Sequence, residues 1–343
     1  MERSLRLLYI QRLLYQHPKG LRSSELARLC EVNQRTINRD LQDLQDEPFR
    51  LPLVQEDGWN WRLMEGHRFT LPPIRLSLQE AAALYLAARL LVRLSDEPNP
   101  FVGRALDALA AALPAPVGRQ ILRMAGPRLQ AEDSPFARVF AVITLAWATG
   151  RKVRIRYRPL GSEEVREHIL APYLIEPSGW GYAAYVIGHV SAYNALRTFK
   201  LERILEAELL EETFELPLDF DPRSLLAHAW GVMYGDETTE VVLRFSPRVA
   251  RRVKESIWHE SQQLEDCDDG GCLMRVQVAH TLEMQPWIRG WGADCEVLAP
   301  PELRRAVAEE MRRAAEIYGV DCTSTTKDQD ALDRRPLSRE VVH

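Results

Sequence analysis

Asn33-Gln34-Arg35-Thr36-Ile37-Asn38-Arg39-Asp40-Leu41-Gln42-Asp43-Leu44 is the stretch on which the reading of the fold turns. It carries a helix start signal, because the Asn33 side-chain oxygen can accept a backbone N–H that the first turn leaves free. Ile37, Leu41 and Leu44 recur at i, i+4 and i+7 and make one apolar stripe. Gln34, Arg35, Asn38 and Arg39 lie off that stripe and are expected to point outward. Side chains of these types hydrogen-bond base edges and phosphates in the major groove of DNA.

Upstream, Ser23-Ser24-Glu25-Leu26-Ala27-Arg28-Leu29-Cys30 reads as another short helix, capped by Ser23 or Ser24, with Leu26, Ala27 and Leu29 turned inward. Two short helices joined by about three or four residues form the helix-turn-helix pattern, whose second helix enters the groove. The same spacing also fits an ordinary helical pair in a core, or a winged helix that binds protein. A first helix precedes them, with Leu5, Leu7, Leu8, Ile10, Leu13 and Leu14 on its apolar side. Downstream, residues 51–55 and 59–63 flank Asp57-Gly58, a strong hairpin signal. Helices and hairpin together make a winged helix-turn-helix over residues 1–68, with the wing near residues 56–60. Arg35-Thr36-Ile37-Asn38-Arg39-Asp40-Leu41 resembles the R-T-I-x-R-D-L pattern of recognition helices in the small winged domains of bacterial regulators. The expected DNA-contacting set is Ser24, Asn33, Gln34, Arg35, Thr36, Asn38, Arg39 and, on the wing, Trp59; Asp40 is expected to be structural.

The net charge of −5 is unlike that of a DNA-binding protein, but residues 1–39 hold eight basic side chains against three acids. A local patch of that kind steers a protein onto DNA with a salt-dependent affinity. At 343 residues, two to four domains are expected. No apolar run approaches the ~18 residues needed to span a bilayer. Arg6, Gln11 and Arg12 make the amino-terminal segment amphipathic rather than a signal peptide. A cytoplasmic, nucleoid-associated protein without membrane contact is expected. The odd set Cys30, Cys267, Cys272, Cys295 and Cys322 argues against a disulfide framework. Cys267 and Cys272, with His259 and His280, lack the tight, symmetric spacing of a zinc site, so no metal and no cofactor are expected.

Residues 69–132 read as a helical linker. Pro72 and Pro73 mark its start, Ser77-Leu78-Gln79-Glu80 fits a capping box, and the helix that follows is apolar around much of its girth. Helices at 101–113 and 117–124 complete it. Its surplus of apolar surface points to a homodimer interface; the alternative is a self-contained bundle.

Residues 133–215 begin with a helix over 136–149 that ends at Gly150, then change to short strand-like runs, the pattern of a small barrel. Ile155 and Tyr157, Ala171-Pro172-Tyr173-Leu174, Tyr185-Val186-Ile187-Gly188 and Arg197-Thr198-Phe199-Lys200-Leu201-Glu202-Arg203-Ile204 together resemble the WYL domain, an Sm-like β-barrel of bacterial regulators. One departure is Ala184-Tyr185-Val186, where the family has Trp-Tyr-Leu; Trp180 and Tyr182 are candidates to fill the space. Gly179-Trp180-Gly181-Tyr182-Ala183-Ala184 formally matches G-x-G-x-x-A, but a strand-like run follows where a dinucleotide site needs a helix.

Arg154, Arg156, Arg158, Arg197, Lys200 and Arg203 gather beside Tyr157, His168, Tyr185 and Phe199. On a strand, Arg197, Phe199 and Leu201 share one face while Thr198 and Lys200 share the other, so not all can line one pocket. Arginine beside aromatic rings suits an anionic, base-containing ligand. The resemblance implies a nucleotide or single-stranded nucleic-acid effector, with Arg154, Tyr157, His168, Tyr185, Arg197, Lys200 and Arg203 as the binding set. The alternative is a solvated basic strand face with Tyr185 and Phe199 in the barrel core, where Phe199 is expected.

From residue 236 to 319 the order strand, helix, two strands, helix, strand, helix is ferredoxin-like. With Trp258-His259, Trp287, Gly290, Gly292 and Val297-Leu298-Ala299-Pro300 it resembles the C-terminal extension that commonly accompanies WYL domains. Residues 320–343 are polar and aperiodic, an expected disordered tail. There is no P-loop, HExxH or GxSxG, and Trp258-His259-Glu260 is more simply structural, so no enzyme is expected. The whole chain is expected to be a multidomain α+β, homodimeric transcriptional regulator, a repressor, that binds a double-stranded DNA operator under the control of a ligand in the WYL domain. The other reading is a nucleic-acid-binding accessory protein of a phage-defence or DNA-repair system, without operator-specific regulation.

Overall fold

The computed structural model describes residues 2–17, 19–46, 51–56, 59–64, 76–125, 134–178 and 183–320. The chain is a multidomain α+β protein with helices and, among the described residues, three antiparallel sheets. It divides into two compact units, Met1–Arg89 with Ala105–Met124, and Leu90–Arg104 with Ala125–His343.

In the first unit α1 (Arg3–Gln16), α2 (Ser23–Cys30) and α3 (Gln34–Gln45) share one core. Ile10, Leu14, Leu26, Ile37, Leu41 and Leu44 are all but inaccessible to solvent. Each such side chain contributes about 2 kcal/mol through burial. The α3 stripe is as the spacing predicts, and Asn33 caps the helix by accepting the Thr36 N–H at 2.8 Å.

Two details differ from expectation. Ser23 is inside α2 and buried, and its Oγ accepts the Trp61 indole N–H at 3.1 Å. The start of α2 is instead fixed by the Arg22 backbone N–H donating to Glu25 at 2.8 Å. In α1, Leu5 faces outward, 50% exposed, and Arg6 faces in. Arg6 Nε donates to the Asp40 carboxylate at 2.6 Å, with side chains only 7% and 0% exposed. This partner, 34 residues away, draws a cation into the core that helical periodicity alone places at the surface. Arg3 likewise pairs with Asp43. Both arginines are therefore withdrawn from the basic patch counted along the sequence.

Strands β1 (Leu21–Arg22), β2 (Leu53–Glu56) and β3 (Asn60–Leu63) form a sheet in the order β1-β3-β2, with Glu56 opposite Asn60. Asp57 and Gly58 lie outside the described residues, as do Pro72 and Pro73. Helices α4 (Leu78–Leu94), α5 (Pro100–Ala112) and α6 (Ala115–Ala125) follow. Ser77 and Glu80 exchange the two capping-box bonds at the start of α4. Leu78, Leu84, Leu86 and Leu90 leave a largely exposed apolar surface on that helix.

In the second unit α7 (Pro135–Thr149) is capped by Ser134 and ends at Gly150. Strands β4 (Arg151–Tyr157), β5 (Arg166–Ser178), β6 (Ala183–Val190), β7 (Ala195–Lys200) and β8 (Ile204–Thr213) make a sheet in the order β7-β6-β5-β4-β8. Consecutive strands β7 and β8 are thus its opposite edges, yet only the 3₁₀ turn Leu201–Arg203 joins them. The sheet must curl until its edges approach. The sequence run through residue 204 reads as one strand; Leu201 instead sits in the turn, fully buried. Phe136, Val139, Ile143 and Ala146 of α7 pack with Val153, Ile155, Leu170 and Phe199. At Gly188 an added Cβ would lie 2.2 Å from the Ala171 carbonyl oxygen, so the close approach of β6 to β5 there requires glycine.

After α8 (Pro222–Leu226) come β9 (Thr239–Phe245), α9 (Pro247–Lys254), β10 (Gln263–Asp266), β11 (Cys272–Val278), α10 (Met284–Gly290), β12 (Cys295–Ala299) and α11 (Pro301–Ile317). Their sheet runs β10-β11-β9-β12. Cys272, Met274, Val276 and Val278 alternate into a core that also holds Trp230, Phe245, Trp287 and Leu303. Gly179, Trp180, Gly181, Tyr182 and residues 321–343, Cys322 included, lie outside the described residues. Among the described residues no helix is long and apolar enough to cross a membrane.

Candidate nucleic-acid interface and anion site

The outer side of α3 presents Arg35, Asn38 and Arg39 to solvent, with Asn33 exposed at its cap. Positions three and four apart on a helix are surface neighbours, so Arg35, Asn38 and Arg39 form one patch. Arg35 and Arg39 make no ion pair among the described residues. Gln34 and Thr36 are half-buried. Thr36 Oγ1 donates to Asn33 Oδ1 at 2.9 Å, so these two side chains are already engaged at the helix start. Ser24 is exposed on α2. Trp59 is 66% exposed, and its carbonyl accepts the Ser23 N–H at 3.2 Å, which fixes the base of the hairpin to the start of α2.

The seven ligand candidates of the curled sheet separate into three groups. Tyr157, His168 and Arg197 belong to an aromatic row: Tyr157 meets Phe199 edge-on at 5.0 Å, Phe199 meets His168 at 5.1 Å, and His168 meets Tyr193 at 5.7 Å. The Arg197 guanidinium caps this row, 5.3 Å from the Tyr193 ring. Burial, helped by nearby Arg166, pushes the His168 pKa down. Tyr185, Lys200 and Arg203 form a second group. Tyr185 and Lys200 are opposite each other in the β6–β7 register, and Arg203 is within electrostatic reach of the Tyr185 hydroxyl. Burial raises the Tyr185 pKa, and Arg203 opposes that rise. Arg154 stands apart from both groups. Its cross-strand neighbour Glu208 pairs with it, and Glu167 is 3.5 Å away.

Several residues at the second group carry no local sequence signal. Lys200 is only 12% exposed and pairs with Asp96 from the α4–α5 connection. Glu202 offers Oε1 to the Ala184 N–H at 3.3 Å, and burial pushes its carboxyl pKa up. Burial raises the pKa of Tyr234, and nearby Thr198, the β7 residue two before Lys200, opposes that rise. The chain just before Tyr234 is clasped by Glu283, whose carboxylate accepts the N–H groups of Gly231, Val232 and Met233, each at 3.0 Å. A Cβ on Gly231 would lie 2.7 Å from Glu283 Oε1. Chain separation hides these contacts: Asp96 and Lys200 are 104 positions apart.

His259 has a structural place. Its Nδ1 accepts the Ser261 N–H at 3.1 Å, its ring stacks on Trp230 at 6.0 Å, and burial pushes its pKa down.

Comparison with known proteins assigns the domains of the second unit. The chain carries a WYL domain at residues 138–209 and a WCX domain at residues 237–315. It is 25% identical over 314 residues to "Uncharacterized HTH-type transcriptional regulator YobV" of Bacillus subtilis (strain 168), covering 88% of this chain and 94% of that one. It is 26% identical over 305 residues to "Protein PafB" of Mycobacterium tuberculosis (strain ATCC 25618 / H37Rv), covering 83% and 86%. Among solved structures it is similar to proteasome accessory factor B/C (PafBC) of Arthrobacter aurescens, with a TM-score of 0.33 at 20% identity. That alignment covers 91% of this chain and about half, 48%, of the other.

Proposed function

We propose that this chain is a sequence-specific DNA-binding transcriptional regulator, a repressor, whose grip on its operator is controlled by a nucleotide or single-stranded nucleic acid held in the WYL domain. The observation that carries this reading is the two-sidedness of α3: Ile37, Asp40, Leu41 and Leu44 are sealed inside while Arg35, Asn38 and Arg39 face solvent. A helix so anchored can enter a major groove without unfolding anything. Residues 1–68 are then a winged helix-turn-helix, with β2 and β3 as the wing and Trp59 beside the backbone of the duplex. Likeness to a protein named as an HTH-type transcriptional regulator, over most of both chains, supports the assignment.

The curled sheet is read as an Sm-like barrel and the carboxy-terminal domain as ferredoxin-like, its strand order being that of a split βαβ arrangement. Within the barrel the anion site is Tyr185, Lys200 and Arg203, two cations beside a ring that can stack on a base. The exposed leucines of α4 are the homodimer surface, which sets two half-sites about one helical turn, ~34 Å, apart. The protein performs no catalysis in this scheme. Selection of duplexes from a random library by the full chain tests it. The expected result is a palindromic motif; enrichment without any shared sequence would favour a non-specific accessory role instead.

A further inference from the structure

Lys200, a cation of the proposed anion site with a side chain only 12% exposed, already has an anion. The partner is not a neighbouring strand residue but Asp96, in the connection between α4 and α5. The rest of that connection is well anchored. Asn99 is buried and its Oδ1 accepts the Phe101 N–H at 3.0 Å, and the Phe101 ring lies 5.5 Å from Phe140 of α7. Asp96 itself is 46% exposed, beside an open cleft of about 340 Å³ lined by Leu91, Ser95, Glu97 and Val102. The second carboxylate near Lys200, Glu202, is held in the sheet by the Ala184 N–H. The ammonium therefore has two acids near it, one bonded to backbone and one partly exposed.

We infer that Asp96 is an internal stand-in for the ligand's phosphate: it occupies Lys200 when the site is empty and must leave when a phosphate-bearing ligand binds, which releases the α4–α5 connection from the sheet at that point. The inference rests on the assignment of Lys200 to the ligand site. Competition follows because Asp96 and the phosphate would share the same ammonium, and each negative charge raises the energy of placing the other beside it. Ligand and connection are then thermodynamically coupled, because the ligand prefers the arrangement with Asp96 withdrawn. The exposure of Asp96 leaves it room to swing into solvent, whereas Glu202 has none to move into without losing its backbone bond.

The test is fluorescence anisotropy of a fluorescein-labelled single-stranded hexathymidylate titrated with the full chain, as wild type, Asp96→Asn, Asp96→Ala, Lys200→Gln and the Asp96→Asn/Lys200→Gln double variant. Removing the stand-in is expected to tighten binding about fivefold in both Asp96 variants, the scale of a partly exposed ion pair. Lys200→Gln is expected to weaken binding and to abolish the gain from Asp96→Asn in the double variant. Binding by the wild type that is unchanged or weaker in both Asp96 variants would overturn the stand-in while leaving the ligand site intact. A gain that persists without Lys200 would overturn it too. Failure of the wild type and of every variant to bind the probe would remove the ligand reading itself, and the inference with it.

Discussion

The basic residues of α3 and those of β4 look alike in the sequence and behave differently in the molecule. Arg35 and Arg39 stand on an exposed helix face with no ion pair among the described residues. Along β4, Lys152, Arg154 and Arg156 each meet a glutamate of β8: Glu212, Glu208 and Glu206. For Arg154 and Arg156 these acids are the directly opposite residues of the antiparallel register. One surface keeps its positive charge available to a polyanion; the other is neutralised within the sheet. A tally of charge along the chain cannot distinguish them, because the neutralising acids arrive roughly fifty residues later, when β8 closes against β4.

The difference can be strained most severely at the root of α3. Its outward arginines depend on an inward anchor, the Arg6–Asp40 pair. Breaking a buried pair by removing one partner leaves an uncompensated charge, so Asp40→Ala should lower the unfolding free energy by about 3 kcal/mol. Urea titration followed by circular dichroism measures this; a change below about 1 kcal/mol would mean that the pair does not hold α3 to α1. A smaller effect is expected at β4. Arg154→Ala should leave affinity for single-stranded hexathymidylate within about twofold of wild type, since its charge is already met by carboxylates. A tenfold loss would show that the β4 surface is not neutral toward ligands after all.

The smallest expected effect is a pH dependence. Burial depresses the pKa of His168 and of His259, so the unfolded chain binds protons that the folded chain refuses. Stability is then fully present above the ordinary histidine pKa and is lost as pH falls below it toward the depressed folded values. The midpoint of thermal unfolding should be lower at about pH 5.5 than at about pH 7.5, and His168→Phe should flatten that slope. A slope unchanged by the substitution would mean that the aromatic row does not exclude the charged imidazole.

Legibility in the sequence follows the same division. Elements fixed by local periodicity were readable: the α3 stripe, the Asn33 cap, the Ser77–Glu80 capping box, and the order of strands and helices after residue 236. Elements fixed by distant partners were not. Arg6 lies inside because of Asp40, Ser23 gives its oxygen to Trp61 rather than to the helix, and Leu201 leaves the strand because the chain must cross from one sheet edge to the other. At the candidate sites, residue types could be chosen from sequence, but the separation of Arg154 from Lys200, and the arrival of Asp96 and Tyr234, are products of the tertiary fold.

The claim on which the rest depends is that the exposed face of α3 reads duplex DNA. The affinity of the full chain for its selected duplex, compared between wild type and Arg35→Ala at one fixed salt concentration, measures it most directly. Loss of a base-edge or phosphate contact predicts binding about tenfold weaker for the variant. Equal affinity of the two proteins would contradict the assignment of α3 as the recognition helix.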